Sequence, residues 1–366
     1  MKSLHLPRAF ALVTPVFRQN IASPEVQSDG RVTFRLKAPQ AREVQVECES
    51  LKKIPMEKDD QGVWSATTPP LDPDYYGYSF TVDGLRCMDL GNPLMKYNLL
   101  GSESEVHVPG PPSLPWEIND VPRGVLHRHT YKSKAANDER AYFVYTPPGY
   151  NPRSSKRYPV LYLLHGYSDD ASAWWSVGQA NVIFDNLITR GRMKPMVVAM
   201  PLGYGTMDIL KRGWSRARNT ELWKRNARQF QTTFLDEVLP QVEKNYRALT
   251  DRKSRAIAGL SMGGAESITV GLNNLNRFAW IGAFSSGGLD TNFSRAFPKL
   301  DAQANNKIRL LWISCAKDDE LFKPNLQFVQ WLDSEGIHHT WTEVPGMHSW
   351  KVWRRNLAAF APLLFR

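Results

Sequence analysis

The sequence predicts an α/β protein, a mostly parallel sheet covered by helices on both faces, preceded by a small all-β sandwich. Three observations carry this. From about residue 125, strand-like and helix-like patterns alternate. Before about residue 112 the chain shows only short strands separated by turns. Finally, "RAIAGLSMGGAES", residues 255 to 267, places a lone serine between small residues where a strand should hand over to a helix.

A chain of 366 residues, 42% hydrophobic and 11% aromatic, can bury a large core, and its length favours two domains. Cys48, Cys87 and Cys315 lie far apart, which fits neither a disulfide framework nor a metal-ligand spacing, so free thiols are expected. No apolar run approaches the roughly 18–20 residues of a membrane span. The start, "MKSLHLPRAFALVTPVF", sets basic residues before a short apolar patch, but Pro15 interrupts it and no cleavage site is clear. The net charge of +10 invites a nucleic-acid partner, yet the basic residues are mostly interspersed with acids, which argues against one. The exception is "KRGWSRARNTELWKRNARQ", where seven cations from Lys211 to Arg228 face one acid, Glu221.

Residues 1–20 form an N-terminal segment. The sandwich is expected over 21–108, where "RVTFRLKAP" and "REVQVECES" alternate apolar with polar residues and "GVWSATTPP" and "YYGYSFTVDG" follow at short intervals. "VPGPPSLPW" holds four prolines and opens a linker, 109–124, expected to pack little. From 125 to 366, "RAYFVYTPP", "YPVLYLLHG" and "KPMVVAMP" read as strands, with "GQANVIFDNLITRG" as a helix between the last two. Phe230, Phe234, Val238, Val242 and Tyr246 recur every fourth residue and mark the next helix, which Pro240 should bend. Strand 254–260, a helix from about Met262, strands "FAWIGAFSS" and "IRLLWISCA", helix "NLQFVQWLDSEG", strand "HTWTEVPG" and a helix from about Trp350 complete the alternation.

A Gly-x-Ser-x-Gly at a strand-to-helix junction is a nucleophile elbow. The turn is so sharp that side chains at Gly259 and Gly263 would collide, and Ser261 is projected at the carboxyl end of the sheet. The N–H of Met262, at the start of the helix, would point at a developing oxyanion. A serine hydroxyl needs a base, and in this arrangement the chain order is Ser, acid, His. His348 follows the last strand, whereas His338 and His339 precede it and fall at its other end. In "LLWISCAKDDELF", Asp318 and Asp319 both follow the preceding strand, and spacing does not choose between them. The loop "LLHGYSDDASAWW" supplies the N–H of Tyr167 as second oxyanion donor and Trp174 as a candidate substrate contact, with His165 structural. The histidines show no ligand-spaced set, so no metal is expected, and a serine acyl-transfer reaction requires no cofactor.

"VLYLLHGYSDDASAWW", "FLDEVLPQVEKNYRA", "RAIAGLSMGG", "CAKDDELF" and "PGMHSW" together resemble the esterase D-like α/β-hydrolases, specifically carbohydrate esterase family one, with its feruloyl and acetylxylan esterases. The resemblance covers about residues 125 to 366. It implies Ser261 and His348 as nucleophile and base, and Met262 and Tyr167 as oxyanion donors. "AKDDEL" meets the family's Gly-x-x-Asp-x-Leu pattern with Asp319 as the acid, but Ala316 stands where glycine is usual, which keeps Asp318 open. The N-terminal strands resemble the immunoglobulin-like carbohydrate-binding module forty-eight; Trp64 there would serve either a glycan or the core.

The resemblance implies a serine esterase acting through an acyl-enzyme on polysaccharide-linked esters such as those of xylan, secreted or periplasmic. The basic stretch leaves the carboxyl end of the sheet, so Trp214 and Trp223 would wall the mouth and favour an aromatic acyl group or an acidic glycan. Feruloyl esterase on feruloylated xylan is the first reading; acetylxylan esterase, an enterochelin-type siderophore esterase, which also carries an N-terminal domain, and a glycan-binding protein with a silent triad are the alternatives. Oligomeric state is not legible.

Overall fold

A computed structural model describes residues 21–218 and 220–366. The N-terminal segment 1–20, and with it the leader-like start, lies outside the described residues. The chain divides into two compact units, one ending at Met95 and taking in Glu103–Val108, the other comprising Lys96–Ser102 and Pro109–Arg366.

The first unit is a sandwich. One sheet pairs Val32–Lys37 with Val63–Thr67, and the other centres on Asp74–Val82, flanked by Val44–Cys48 and Glu103–Val108. Period-two alternation buries Val44, Val46 and Cys48 while Gln45 and Glu47 stay partly exposed. Phe34, Tyr78, Phe80 and Val106 fill the centre. Trp64 belongs to this core: it is 7% exposed, and its Nε1 donates to the Ala38 carbonyl at 2.9 Å. It therefore offers no open face to a sugar.

The second unit is an eight-stranded sheet. Its strands are β1 (Val125–Lys132), β2 (Glu139–Thr146), β3 (Val160–Leu164), β4 (Val197–Pro201), β5 (Arg255–Leu260), β6 (Trp280–Phe284), β7 (Leu310–Ala316) and β8 (Thr340–Val344). They lie in the order β1-β2-β4-β3-β5-β6-β7-β8, antiparallel from β1 to β4 and parallel beyond. Strand β1 has no apolar run because only its inner neighbour covers it, and its side chains are exposed or half-buried. By contrast, β3, β4 and β6 are buried at every residue, as a sheet covered on both faces requires. The α/β-hydrolase fold follows from this order. Its parallel strands β3, β5, β6, β7 and β8 deliver their following loops to one edge.

Among the described residues, the helices of ten residues or more are α1 (Ala180–Thr189), α2 (Glu221–Thr232), α3 (Met262–Asn273), α4 (Phe322–Ser334) and α5 (Trp350–Phe360). The every-fourth-residue stripe after α2 does not lie on one regular helix. Four-residue steps overshoot an α-helical turn by about 40° each, so the stripe would spiral away from the core. A wide π-type turn over Thr233–Val238 takes up the excess, and Leu239–Asn245 resumes as α-helix with Pro240 in its first turn, where a missing N–H costs little. Phe230, Phe234, Val238 and Val242 are all buried as a result.

The proline-rich stretch packs more than expected. Trp116 is 3% exposed. Glu117 accepts from the N–H groups of Gly110 and Leu114 at 3.0 and 2.7 Å, and Asn186 of α1 donates to the carbonyls of Pro115 and Glu117 at 2.8 Å each. Prolines cannot donate, so buried side chains satisfy this strap in place of a backbone ladder.

Candidate active site

Ser261 ends β5 and opens α3 with φ +49°, a left-handed conformation that L residues adopt only under constraint. The constraint is visible at Gly259, where a Cβ would stand 2.4 Å from the Gly263 carbonyl oxygen. Gly166 plays the same part on the facing loop: a Cβ there would meet Leu260 Cδ1 at 2.6 Å and Ser261 Cβ at 3.3 Å. Glycine thus brings the loop after β3 against the serine. Ser261 itself is 7% exposed.

His348, from the loop after β8, reaches Ser261 Oγ with Nε2 at 3.0 Å and Asp319 Oδ2 with Nδ1 at 2.9 Å. Its ring stands edge-on to Trp353 at 4.8 Å, which limits its rotation. Asp319 has a fully buried side chain, and its Oδ1 accepts from the Leu321 N–H at 2.8 Å. Burial alone would push that carboxyl up, but the hydrogen bond and charge of His348, together with Leu321 N–H, outweigh it and leave the pKa lowered. Asp318 points elsewhere: it is exposed, and its N–H donates to Gly346. The arrangement provides a hydroxyl, an imidazole able to take its proton, and an anion that holds the imidazole's other nitrogen.

The N–H of Met262 opens α3, and that of Tyr167 follows Gly166; among the described residues neither donates to a protein acceptor. Trp174 does not reach the mouth. It is 1% exposed, donates from Nε1 to the Leu164 carbonyl at 2.8 Å, and packs edge-on to Trp350 at 5.2 Å. Its neighbours are core, so the sequence expectation of a substrate contact is corrected. Trp214 does lie beside the serine: a Cβ on Gly287 would be 3.3 Å from Ser261 Oγ and 3.4 Å from Trp214 Cζ2. Trp214 meets Trp223 edge-on at 5.0 Å and Tyr167 at 5.2 Å. Around these rings the basic stretch folds as short helical turns and α2, with Lys211 and Arg225 both paired to Asp208 and Lys224 to Glu221. Arg212, Arg216, Arg218 and Arg228 are exposed.

Behind the serine lies a layer of buried polar groups, of which the sequence reading had marked only His165, as structural. His165 is neutral by construction: Nδ1 donates to the Gly166 carbonyl and Nε2 accepts from the Gly203 N–H, both at 2.8 Å, and burial pushes its pKa down to about 4. Glu266 on α3 is buried, both its carboxylate oxygens lack a partner among the described residues, and burial raises its pKa. A raised carboxyl binds its proton more tightly folded than unfolded, so its contribution to stability declines as pH rises above the unfolded value. Glu266→Gln should therefore raise Tm more at pH 8 than at pH 5 by thermal denaturation; an equal shift at both would show that the carboxyl is not buried in neutral form. Among the described residues no group of His, Cys, Asp or Glu could hold a metal ion, and no helix is long and apolar enough to cross a membrane.

Comparison with known proteins gives two family matches: the esterase model, described as "Putative esterase", over residues 133–364, and carbohydrate-binding module 48 (isoamylase N-terminal domain) over residues 22–95. An endo-1,4-β-xylanase/feruloyl esterase of Xylanibacter ruminicola is 29% identical over 371 residues, 98% of this chain and 48% of the relative. The chain spans about half the length of the curated relatives it matches. Among solved structures, a ferulic acid esterase is 26% identical with a TM-score of 0.57, covering 66% of this chain and 96% of its own. The enterobactin esterase of Shigella flexneri shares the fold, at 17% identity and a TM-score of 0.66, over 91% of this chain and 92% of its own. With the family model matched across more than half its residues, the chain belongs to the esterase family and carries a carbohydrate-binding module 48 domain ahead of its esterase domain.

Proposed function

We propose that this chain is a serine esterase that releases aromatic acids, ferulate in particular, from xylan-type polysaccharides. The observation that carries the reading is a serine hydroxyl hydrogen-bonded to His348 and flanked by the indole of Trp214. The xylanase/feruloyl esterase relative, matched over nearly this whole chain, supports it.

In this mechanism His348 Nε2 takes the Ser261 proton as Oγ attacks the ester carbonyl, and Asp319 stabilises the imidazolium. The carbonyl oxygen becomes an oxyanion held by the N–H groups of Met262 and Tyr167. Collapse expels the sugar alkoxide, which takes the proton from His348 and leaves feruloyl-Ser261. Water, deprotonated by His348, attacks the acyl-enzyme; ferulate departs and the proton returns to Ser261. The ring of the acyl group lies along Trp214 and Trp223, and the exposed arginines of the same segment face an acidic glycan. A polymeric substrate of this kind places the enzyme outside the cytoplasm.

Turnover of methyl ferulate, an aryl acetate, acetylated xylan and ferric enterobactin tests the assignment. Ferulate release exceeding the rest is the expected result. Acetate release from xylan alone would make the chain a deacetylase instead, and no turnover of any of them would make it a glycan binder. The match of the siderophore esterase over both units favours it as second reading, which enterobactin cleavage would establish.

Two finer outcomes follow. Trp214→Ala should lower the methyl ferulate to aryl acetate ratio of kcat/KM roughly tenfold, about 1.4 kcal/mol of lost ring contact. Rising salt should depress hydrolysis of a glucuronate-substituted feruloyl xylan fragment more than that of a neutral one. An identical response would remove the arginines from recognition.

A further inference from the structure

The segment Lys96–Ser102 groups with the hydrolase unit although it leaves and rejoins sandwich strands in the sequence. It is a self-closed turn: Asn98 N–H donates to Ser102 Oγ at 3.2 Å, and Asn98 Oδ1 accepts from the Leu100 N–H at 3.0 Å. Leu99 joins the apolar cluster of Tyr204 and Met262, against which Tyr167 and Trp214 also pack.

Outside the turn, Asn98 and Leu99 hydrogen-bond to two residues. The Asn98 amide donates to Ser168 Oγ at 2.9 Å and to Asp169 Oδ1 at 3.1 Å, and the Leu99 N–H donates to the Ser168 carbonyl at 2.8 Å. These residues directly follow Tyr167. Ser168 has φ +71°, a conformation a serine holds only when its surroundings demand it. The peptide that carries the Tyr167 N–H is fixed at its other side, where the Gly166 carbonyl accepts from His165 Nδ1 at 2.8 Å and from the Tyr204 hydroxyl at 3.4 Å. The loop is thus clamped before the N–H by His165 and Tyr204, and after it by Asn98.

We propose that Asn98 is a positioning residue for the reaction: by clamping Ser168 and Asp169 it aims the Tyr167 N–H at the oxyanion. This rests on Ser261 as nucleophile and Tyr167 as donor. Asn98 touches no reacting atom, so its loss should act on the transition state and leave ground-state binding in place.

The test is made in the full chain. Asn98→Ala should lower kcat for methyl ferulate about 10- to 100-fold with KM within about twofold. Phosphonylation of Ser261 by an aryl phosphonate, which develops the same oxyanion, should slow by the same factor. Asn98→Asp adds a readout that mere structural damage would not give. Burial pushes Asp169 up to about 7 against the Asn98 hydrogen bond; Lys96, Asp170 and the Tyr204 hydroxyl are the titratable groups that act on it. Two carboxyls at this position share a proton at low pH and repel when both ionise. The Asn98→Asp to wild-type kcat ratio should therefore fall as pH rises above about 7, and more steeply than the Asn98→Ala ratio, which lacks the second carboxylate.

Full kcat in Asn98→Ala, or a flat Asn98→Asp ratio, would overturn the proposal; should Asn98→Ala not fold, the Asn98→Asp ratio decides alone. Activity that survives Ser261→Ala would instead overturn the underlying site reading, so the two failures are distinct.

Discussion

Ser261→Ala is expected to lower kcat for methyl ferulate by roughly 10⁵- to 10⁶-fold, the cost of removing a nucleophile from a cooperating triad. The variant keeps the Cβ and loses only the Oγ that meets His348 at 3.0 Å. Alanine also relieves no strain, because the left-handed φ at 261 is imposed by the turn. Circular dichroism and Tm should stay near wild type while phosphonate labelling disappears. A residual rate within tenfold of wild type would mean that another group attacks the ester. Cys315 is a poor candidate for that group, since burial and then the Asp319 charge push its thiol up to about 12.

The second large effect separates neighbouring residues. Asp319→Asn should cost about 10⁴-fold in kcat, because an amide facing Nδ1 favours the imidazole tautomer that cannot accept the serine proton. Asp318→Asn, an exposed change one residue back along the chain, should stay within about twofold of wild type. The pH dependence of stability has a definite sign as well. Asp319 has a depressed pKa when folded, so its contribution is present above the unfolded carboxylate range and is lost as pH falls through the folded value. The Tm difference between wild type and Asp319→Asn should therefore shrink on acidification below about pH 4. Equal losses from both substitutions would place the acid elsewhere.

Much of the fold was legible because it rests on local regularities. Strand and helix periods are set within a few residues, so the alternation from 139 onward matches the observed elements from β2 to α5. The turn at Ser261 was legible in part for the same reason: a Cβ at Gly259 would meet the Gly263 carbonyl four residues on, whereas the need for glycine at 263 comes from the backbone of Leu164 and His165, far away in sequence. Imperfect regularities are less legible. The four-residue stripe hid a π-type turn, and β1 escaped notice because an edge strand has little apolar surface to bury.

By itself, then, the sequence determined the fold class, the serine at the end of β5 and the histidine after the last strand, since chain order and strand direction carry those loops to one edge. Only the tertiary structure decided which aspartate meets His348, that Trp174 is core while Trp214 lies beside Ser261, and that Asn98 grips the loop after Tyr167. These depend on distances between residues tens of positions apart. Two adjacent aspartates or two tryptophans are alike in a sequence; a rotation of about 100° or a shift of one loop residue separates them in space.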